Sequence, residues 1–257
     1  MQAPSRRPQP ASAVLPRGWV TGPPDYVGVG TARSGTTWWD QLISAHPRVS
    51  RASDRPKELH FFDDRWMASL EADDVARYHA LFARPEGHLC GEWTPGYMLD
   101  AWTPPLLRQA APEARLLVIL RDPVERFRSG RTLAENRFTV GSTARAAANA
   151  AFNRGLYADQ LLRLWRSFPR QQVLVLQLER CVADPAEELA RTYDFLGLGT
   201  QIPTDLELSR PVNASSGPKL VLSTWQEGVL TRRYAPENER LAALLPDLDL
   251  SLWRAPS

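Results

Sequence analysis

Lysine is almost missing from this 257-residue chain: of its 31 basic residues only Lys57 and Lys219 are lysines, and the other 29 are arginines. Net charge is nearly missing too, at +2 against 29 acidic residues. No large field is available to hold a polyanion along the surface, which excludes a basic tail and a general nucleic-acid coat. Cysteine is limited to Cys90 and Cys181, too few for a disulfide framework or a self-contained zinc site. A reduced, cytoplasmic setting is the expectation. No uninterrupted apolar run of about 18 residues occurs, so no membrane span is expected. The proline- and arginine-rich start has no apolar stretch of signal-peptide length. Residues 1–22 read as a disordered leader and 23–257 as a single domain.

From Tyr26 onward short apolar strands alternate with amphipathic helices. Strands are predicted at Tyr26–Gly30, Ala114–Arg121 and Val173–Leu178, and helices at Thr36–Ala45, Val124–Asn136, Ala144–Phe168 and Pro185–Leu196. The continuous run Leu116–Leu120 is what a strand covered on both faces of a parallel sheet requires. Asp184-Pro185 supplies an N-cap residue and a proline at the first helical position, and Gly197 a C-cap. The fold class that follows is α/β, three layers with a central, mostly parallel sheet flanked by helices.

The first strand runs into Gly30-Thr31-Ala32-Arg33-Ser34-Gly35-Thr36-Thr37-Trp38. Glycines before a helix let the backbone curl around an anion, met by amide N–H groups and the positive helix end. Thr36 and Thr37 add hydroxyl donors. An ATP-binding loop of the Walker type has lysine immediately after its second glycine, where this chain has Thr36. The cation sits inside the loop instead, as Arg33. A second candidate anion site is Arg121-Asp122-Pro123, at the end of the strongest strand, where ligands of parallel sheets collect. Arg121 can fork onto a phosphate, and Ser129 lies about two helical turns farther on.

Arg33–Thr37 resembles the 5′-phosphosulfate loop of sulfotransferases that use 3′-phosphoadenosine 5′-phosphosulfate (PAPS), and Arg121–Gly130 resembles their 3′-phosphate segment. Lys57-Glu58-Leu59-His60-Phe61-Phe62-Asp63 is similar to the segment of the heparan-sulfate-type branch that carries its catalytic glutamate. Gly91–Tyr97 and the pairs Leu156-Tyr157, Phe168-Pro169 and Asp184-Pro185 match that branch in order. The resemblance implies a P-loop-like fold and transfer of a sulfuryl group from PAPS, releasing 3′,5′-ADP (PAP), with no metal. Glu58 is then the general base, and it is expected to follow the second strand into the cleft. Arg33 is the clamp on the leaving phosphate. Donor contacts fall to Arg33, Ser34, Gly35, Thr36, Thr37, Arg121 and Ser129.

Several residues keep two readings. Trp38 is either a stacking face for the adenine or core. His60 projects to the side of Glu58 if the segment is extended, where it orients Glu58 or the acceptor, or it is structural. Lys57 either touches the donor's sulfate oxygens or pairs with Glu58. Glu92 and Trp93 are candidates to line the acceptor site. Lys219 is the nearest equivalent of the branch's late donor-closing loop, with Arg232 or Arg233 as substitutes. His46 is expected to be structural, and His79 and His88 to lie on the surface. The acceptor class is a small molecule, lipid or glycan with a hydroxyl, less readily an amine, and a soluble bacterial relative is expected. A P-loop kinase or NTPase, and a nucleotide-binding module without catalysis, are the competing functions.

Overall fold

Alternate residues of Leu116–Leu120 enter two different cores, so the sheet is covered on both sides. Leu116, Val118 and Leu120 join Val27, Val29, Leu107, Leu161 and Leu164 in one cluster, while Leu117 and Ile119 join Trp39, Ile43, Leu176 and Leu189 in the other. The computed structural model describes residues 15–51, 56–66, 68–136, 144–209 and 220–253.

Among these residues the strands, in chain order, are β1 (Trp19–Val20), β2 (Tyr26–Gly30), β3 (Arg84–Pro85), β4 (Gly91–Trp93), β5 (Arg115–Leu120) and β6 (Val173–Gln177). The helices are α1 (Thr36–Ser44), α2 (Ala72–Ala80), α3 (Thr103–Ala110), α4 (Pro123–Asn136), α5 (Ala144–Asn153), α6 (Tyr157–Ser167), α7 (Leu178–Ala183), α8 (Pro185–Phe195) and α9 (Thr224–Leu244). The central sheet has the order β4-β2-β5-β6, and every pairing in it is parallel. The chain leaves β2 toward β4 and leaves β5 toward β6. Their carboxyl ends therefore frame a topological switch point, the place where open α/β sheets form a crevice for ligands.

Trp93 fixes the spacing between β2 and β4. A Cβ on Gly28 would lie 2.0 Å from the Trp93 ring, and the indole Nε1 donates to Gly30 O at 3.2 Å. The Asp184 cap is present, with its carboxylate accepting from Glu187 N at 2.9 Å. Gly197 ends α8 at φ +74°, and the bonds Gly197 N to Asp194 O and Leu198 N to Tyr193 O complete a Schellman motif.

Two expectations change. The segment expected as one helix over Ala144–Phe168 is two, because the chain breaks at Arg154-Gly155-Leu156, where a Cβ on Gly155 would meet the Tyr234 ring at 2.8 Å. Part of the expected leader is strand: Trp19–Val20 pairs antiparallel with Arg84–Pro85. The rest of the leader, residues 1–14, lies outside the described residues.

Candidate active site

The loop after β2 is pinned by hydroxyls. Thr31 Oγ1 donates to Ile119 O at 2.9 Å and shares a 2.6 Å hydrogen bond with Ser34 Oγ, and Ser34 is fully buried. Arg33 and Gly35 are left-handed, at φ +73° and +80°. Gly35 is the N-cap of α1, no side chain caps that end, and its first turn carries no acidic residue. The first amides of a helix have no intrahelical acceptor, so this end presents donors and the positive end of the helix dipole to an anion.

The second segment arrives from the neighbouring strand. Asp122 caps α4, its Oδ1 accepting from Val124 N at 2.7 Å and Glu125 N at 3.1 Å. Arg121 Nη1 donates to Arg33 O at 3.0 Å, and Nη2 faces Glu125 Oε2 at 3.5 Å. Arg33 Nε donates to Ser129 Oγ at 2.9 Å. Residues almost a hundred positions apart in sequence thus meet at the switch point. Behind them Tyr157 OH donates to Arg121 O at 2.9 Å, and Glu179 accepts from Asp122 N and Trp253 Nε1, both at 3.0 Å.

The Lys57–Asp63 segment completes the cleft, though not as a strand. It is irregular backbone tied to the end of β4, with Trp93 N donating to Lys57 O at 3.2 Å and Leu59 N to Thr94 Oγ1 at 3.0 Å. His60 is left-handed at φ +51°, so the extended geometry expected for it is absent. It reaches Glu58 all the same. His60 Nε2 lies 3.2 Å from Glu58 Oε2, and Nδ1 lies 2.8 Å from Asp63 Oδ2. Two carboxylates bonding both ring nitrogens favour the imidazolium, and the Asp63 and Glu58 hydrogen bonds push the His60 pKa up to about 10.

Lys57 links this segment to the phosphate loop. Its Nζ donates to Thr36 Oγ1 at 3.0 Å, to Thr37 Oγ1 at 3.3 Å and to Glu58 Oε1 at 3.4 Å. Burial lowers the Lys57 pKa, opposed by the nearby Glu58 and Asp40 charges. Glu58 is held below the usual carboxylate range, first by the His60 hydrogen bond and next by the Lys57 charge, with burial opposing. Glu58 is therefore ionised at neutral pH, ready to receive a proton but only weakly basic.

Other candidates are placed elsewhere. Trp38 is 3% exposed and packs edge-on against Trp39 at 5.1 Å in the apolar cluster beneath the loop, so its ring is core and not a stacking face. Trp39, expected in the core, is there. Glu92 and Trp93 do not line an acceptor site: Glu92 is 2% exposed and accepts from Tyr78 OH and Thr94 Oγ1 at 2.7 Å each, and Trp93 is sealed between strands. His46 Nδ1 accepts from Arg48 N at 3.1 Å, a structural role. His79 is half-buried against Ala110 O at 2.7 Å, bracing α2 on α3 where a surface position was expected. Lys219 lies outside the described residues, and Arg232 and Arg233 are exposed on α9. Asp63 went unassigned from sequence. Its only signal was a carboxylate three residues beyond a histidine, legible once His60 was known to turn back.

Among the described residues no group of His, Cys, Asp and Glu is arranged to hold a metal ion, and no helix is long and apolar enough to cross a membrane.

The chain is similar to known proteins. Residues 23–216 match the family model described as the sulfotransferase domain. The chain is 32% identical over 187 residues to human heparan sulfate glucosamine 3-O-sulfotransferase 6, which covers 68% of this chain and 52% of that protein. It is 32% identical over 188 residues to mouse heparan sulfate glucosamine 3-O-sulfotransferase 3A1, covering 68% and 46%. The chain thus spans about half the length of the curated relatives it matches. Among solved structures, a sulfotransferase from Alicyclobacillus acidocaldarius superimposes with a TM-score of 0.70 at 23% identity, covering 89% of this chain and 98% of that one.

Proposed function

Because this chain belongs to the sulfotransferase domain family, we propose that it transfers a sulfuryl group from PAPS to an acceptor hydroxyl, within one domain running from residue 23 to 257. The observation that carries this reading is the meeting of Arg33, Arg121 and Ser129 across the β2/β5 switch point, beside the uncapped start of α1. PAPS supplies the activated sulfuryl group when bound, and its two phosphate ends match in kind the two basic, hydroxyl-bearing segments.

The residues divide the work. The amides of Gly35 and Thr36 and the hydroxyls of Thr36 and Thr37 hold one phosphate end, and Arg121 and Ser129 the other, while buried Ser34, whose amide donates to Thr31 O at 3.3 Å, braces the loop from behind. Arg33 stabilises charge on the leaving phosphate. Lys57, bonded to both threonine hydroxyls and to Glu58, couples the donor side of the cleft to the acceptor side. Glu58 receives the acceptor's proton, and the His60 imidazolium, anchored by Asp63, fixes its carboxylate. A weak base suffices where transfer is loose, as in phosphoryl transfer, because positioning and charge stabilisation then dominate.

The acceptor belongs to the same proposal. A glycan hydroxyl is favoured over a lipid or other small molecule, given the names of the curated relatives. A cytoplasmic setting agrees with Cys90 and Cys181 being buried and free. The test is a comparison of melting temperature with PAP and with ATP–Mg²⁺. PAP should stabilise the protein, whereas stabilisation by ATP–Mg²⁺ alone would move the assignment to a kinase or NTPase.

A further inference from the structure

Glu92 is a carboxylate sealed into the core against the Lys57–Asp63 segment. It is the middle residue of β4, and alternation turns it away from Trp93 toward the cluster that holds Phe62, Tyr78 and Tyr97. Only 2% of it is exposed. Four donors converge on its two oxygens. Tyr78 OH at 2.7 Å and Tyr97 OH at 3.4 Å meet Oε1, and Thr94 Oγ1 at 2.7 Å and Leu59 N at 3.3 Å meet Oε2. Tyr97 is brought back beside Thr94 by a turn closed from Tyr97 N to Thr94 O at 3.2 Å, with Pro95 at its second position.

These bonds have a direction. A carboxylate only accepts, so Thr94 and Tyr97 direct their single hydroxyl hydrogens at Glu92 and turn their lone pairs outward. Three consecutive amides take those lone pairs. Leu59 N and His60 N donate to Thr94 Oγ1 at 3.0 and 3.4 Å, and Phe61 N donates to Tyr97 OH at 2.9 Å. Burial, and next the Glu92 charge, push the Tyr97 pKa well above its ordinary value, which keeps that hydroxyl a donor. The three amides bracket left-handed His60, whose ring meets Glu58 at 3.2 Å and Asp63 at 2.8 Å. A non-glycine residue holds a φ of +51° where its surroundings over-determine it, and here the amides on either side are tied down.

We propose that Glu92 is a positioning residue: its negative charge sets the polarity of the Thr94 and Tyr97 hydroxyls, which hold the His60 turn and so aim Glu58 at the acceptor. The proposal deepens the sulfuryl-transfer reading above and rests on it. Glutamine at this position keeps the shape but brings an NH2 against hydroxyls that must then accept from it, turning their hydrogens toward the amides. The test compares Glu92→Gln, Thr94→Val and Thr94→Ser. Thr192→Val serves as the control, since it removes a buried hydroxyl that bonds Trp39 Nε1 at 3.1 Å in the other core. PAP affinity, PAP release from PAPS with a panel of mono- and disaccharides, and NMR titration of the His60 ring are measured for each.

Glu92→Gln and Thr94→Val should lower kcat with the best sugar roughly 10- to 100-fold, at KM and PAP affinity within about threefold of wild type. In both, the His60 ring should titrate below its wild-type value, toward the ordinary value near 6.5. Thr94→Ser keeps the hydroxyl and should restore both readouts, and Thr192→Val should change neither. The proposal falls if either kcat or the His60 titration of Glu92→Gln stays at wild type, or if Thr94→Ser fails to restore what Thr94→Val loses. It also falls if Thr192→Val lowers kcat as much, if PAP affinity drops in step with kcat, or if PAP binds and no sugar is turned over. Failure of the wild-type protein to bind PAP would remove the sulfuryl-transfer reading and this proposal with it, whereas an unmoved His60 titration in Glu92→Gln removes this proposal alone.

Discussion

Replacing Glu58 with glutamine keeps the shape of the side chain and removes its charge and its capacity to accept a proton. Loss of a positioned general base costs about 10²- to 10⁴-fold in rate, or roughly 3–5 kcal/mol of barrier. The fold should tolerate the change. Glu58 is 41% exposed on its side chain and has two ion-pair contacts, to Lys57 at 3.4 Å and to His60 at 3.2 Å, so at about 0–1 kcal/mol for each exposed pair roughly 2 kcal/mol is the most it can lose. At this chain length that corresponds to a melting shift of no more than about 8 °C. His60 provides a second, independent readout. Its pKa of about 10 has two carboxylate causes, with Asp63 the larger. In Glu58→Gln the ring should titrate below the wild-type value yet stay above the ordinary histidine value near 6.5, followed by NMR of the ring protons. Turnover of Glu58→Gln within about threefold of wild type would refute the assignment of the base. An unmoved His60 titration would refute the contact that is said to hold it.

Three further outcomes are expected. Because the folded pKa of His60 is raised, its contribution to stability is complete below about pH 6.5, declines above that and is lost as pH passes about 10; denaturant titrations should show this alkaline slope, reduced in His60→Gln. Lys57→Arg should lower turnover by roughly tenfold or more in a PAP-release assay, because a planar guanidinium cannot reproduce three bonds converging on one ammonium in a site 12% exposed. Gly28→Ala places a methyl 2.0 Å from the Trp93 ring. It should cost roughly 3 kcal/mol through overpacking and a strained indole hydrogen bond, about 6–12 °C in calorimetry, whereas Gly96→Ala, with nothing within 4 Å, should be nearly silent.

The sheet and its phosphate loop were legible because their signals are local. Leu116–Leu120 has the unbroken apolar run of a strand buried on two faces, and Gly30–Thr37 carries glycines, hydroxyls and a cation in one stretch. The break between α5 and α6 was not legible: alanines carry the helical pattern through Asn153, and what stops it is the Tyr234 ring, which leaves room only for Gly155. The start of α9 does have a local sign, the Ser223/Gln226 capping box. Glu92 looked available in sequence and is consumed by Tyr78 and Thr94.

The last helix also bears on how far this protein can be treated as a set of interchangeable parts. The stretch that matches the family model ends at residue 216, before α9 begins. Yet Glu237 accepts from Ala158 N at 2.7 Å, satisfying an amide in the first turn of α6, and Tyr234 OH donates to Phe152 O at 2.9 Å across the break that bears Arg154. A chimera that transplants only the matched stretch would leave that amide buried without an acceptor and the break unsupported. Grafts between relatives should therefore carry α9 along with α5 and α6, as one heritable unit whose contacts join residues about eighty positions apart in the chain.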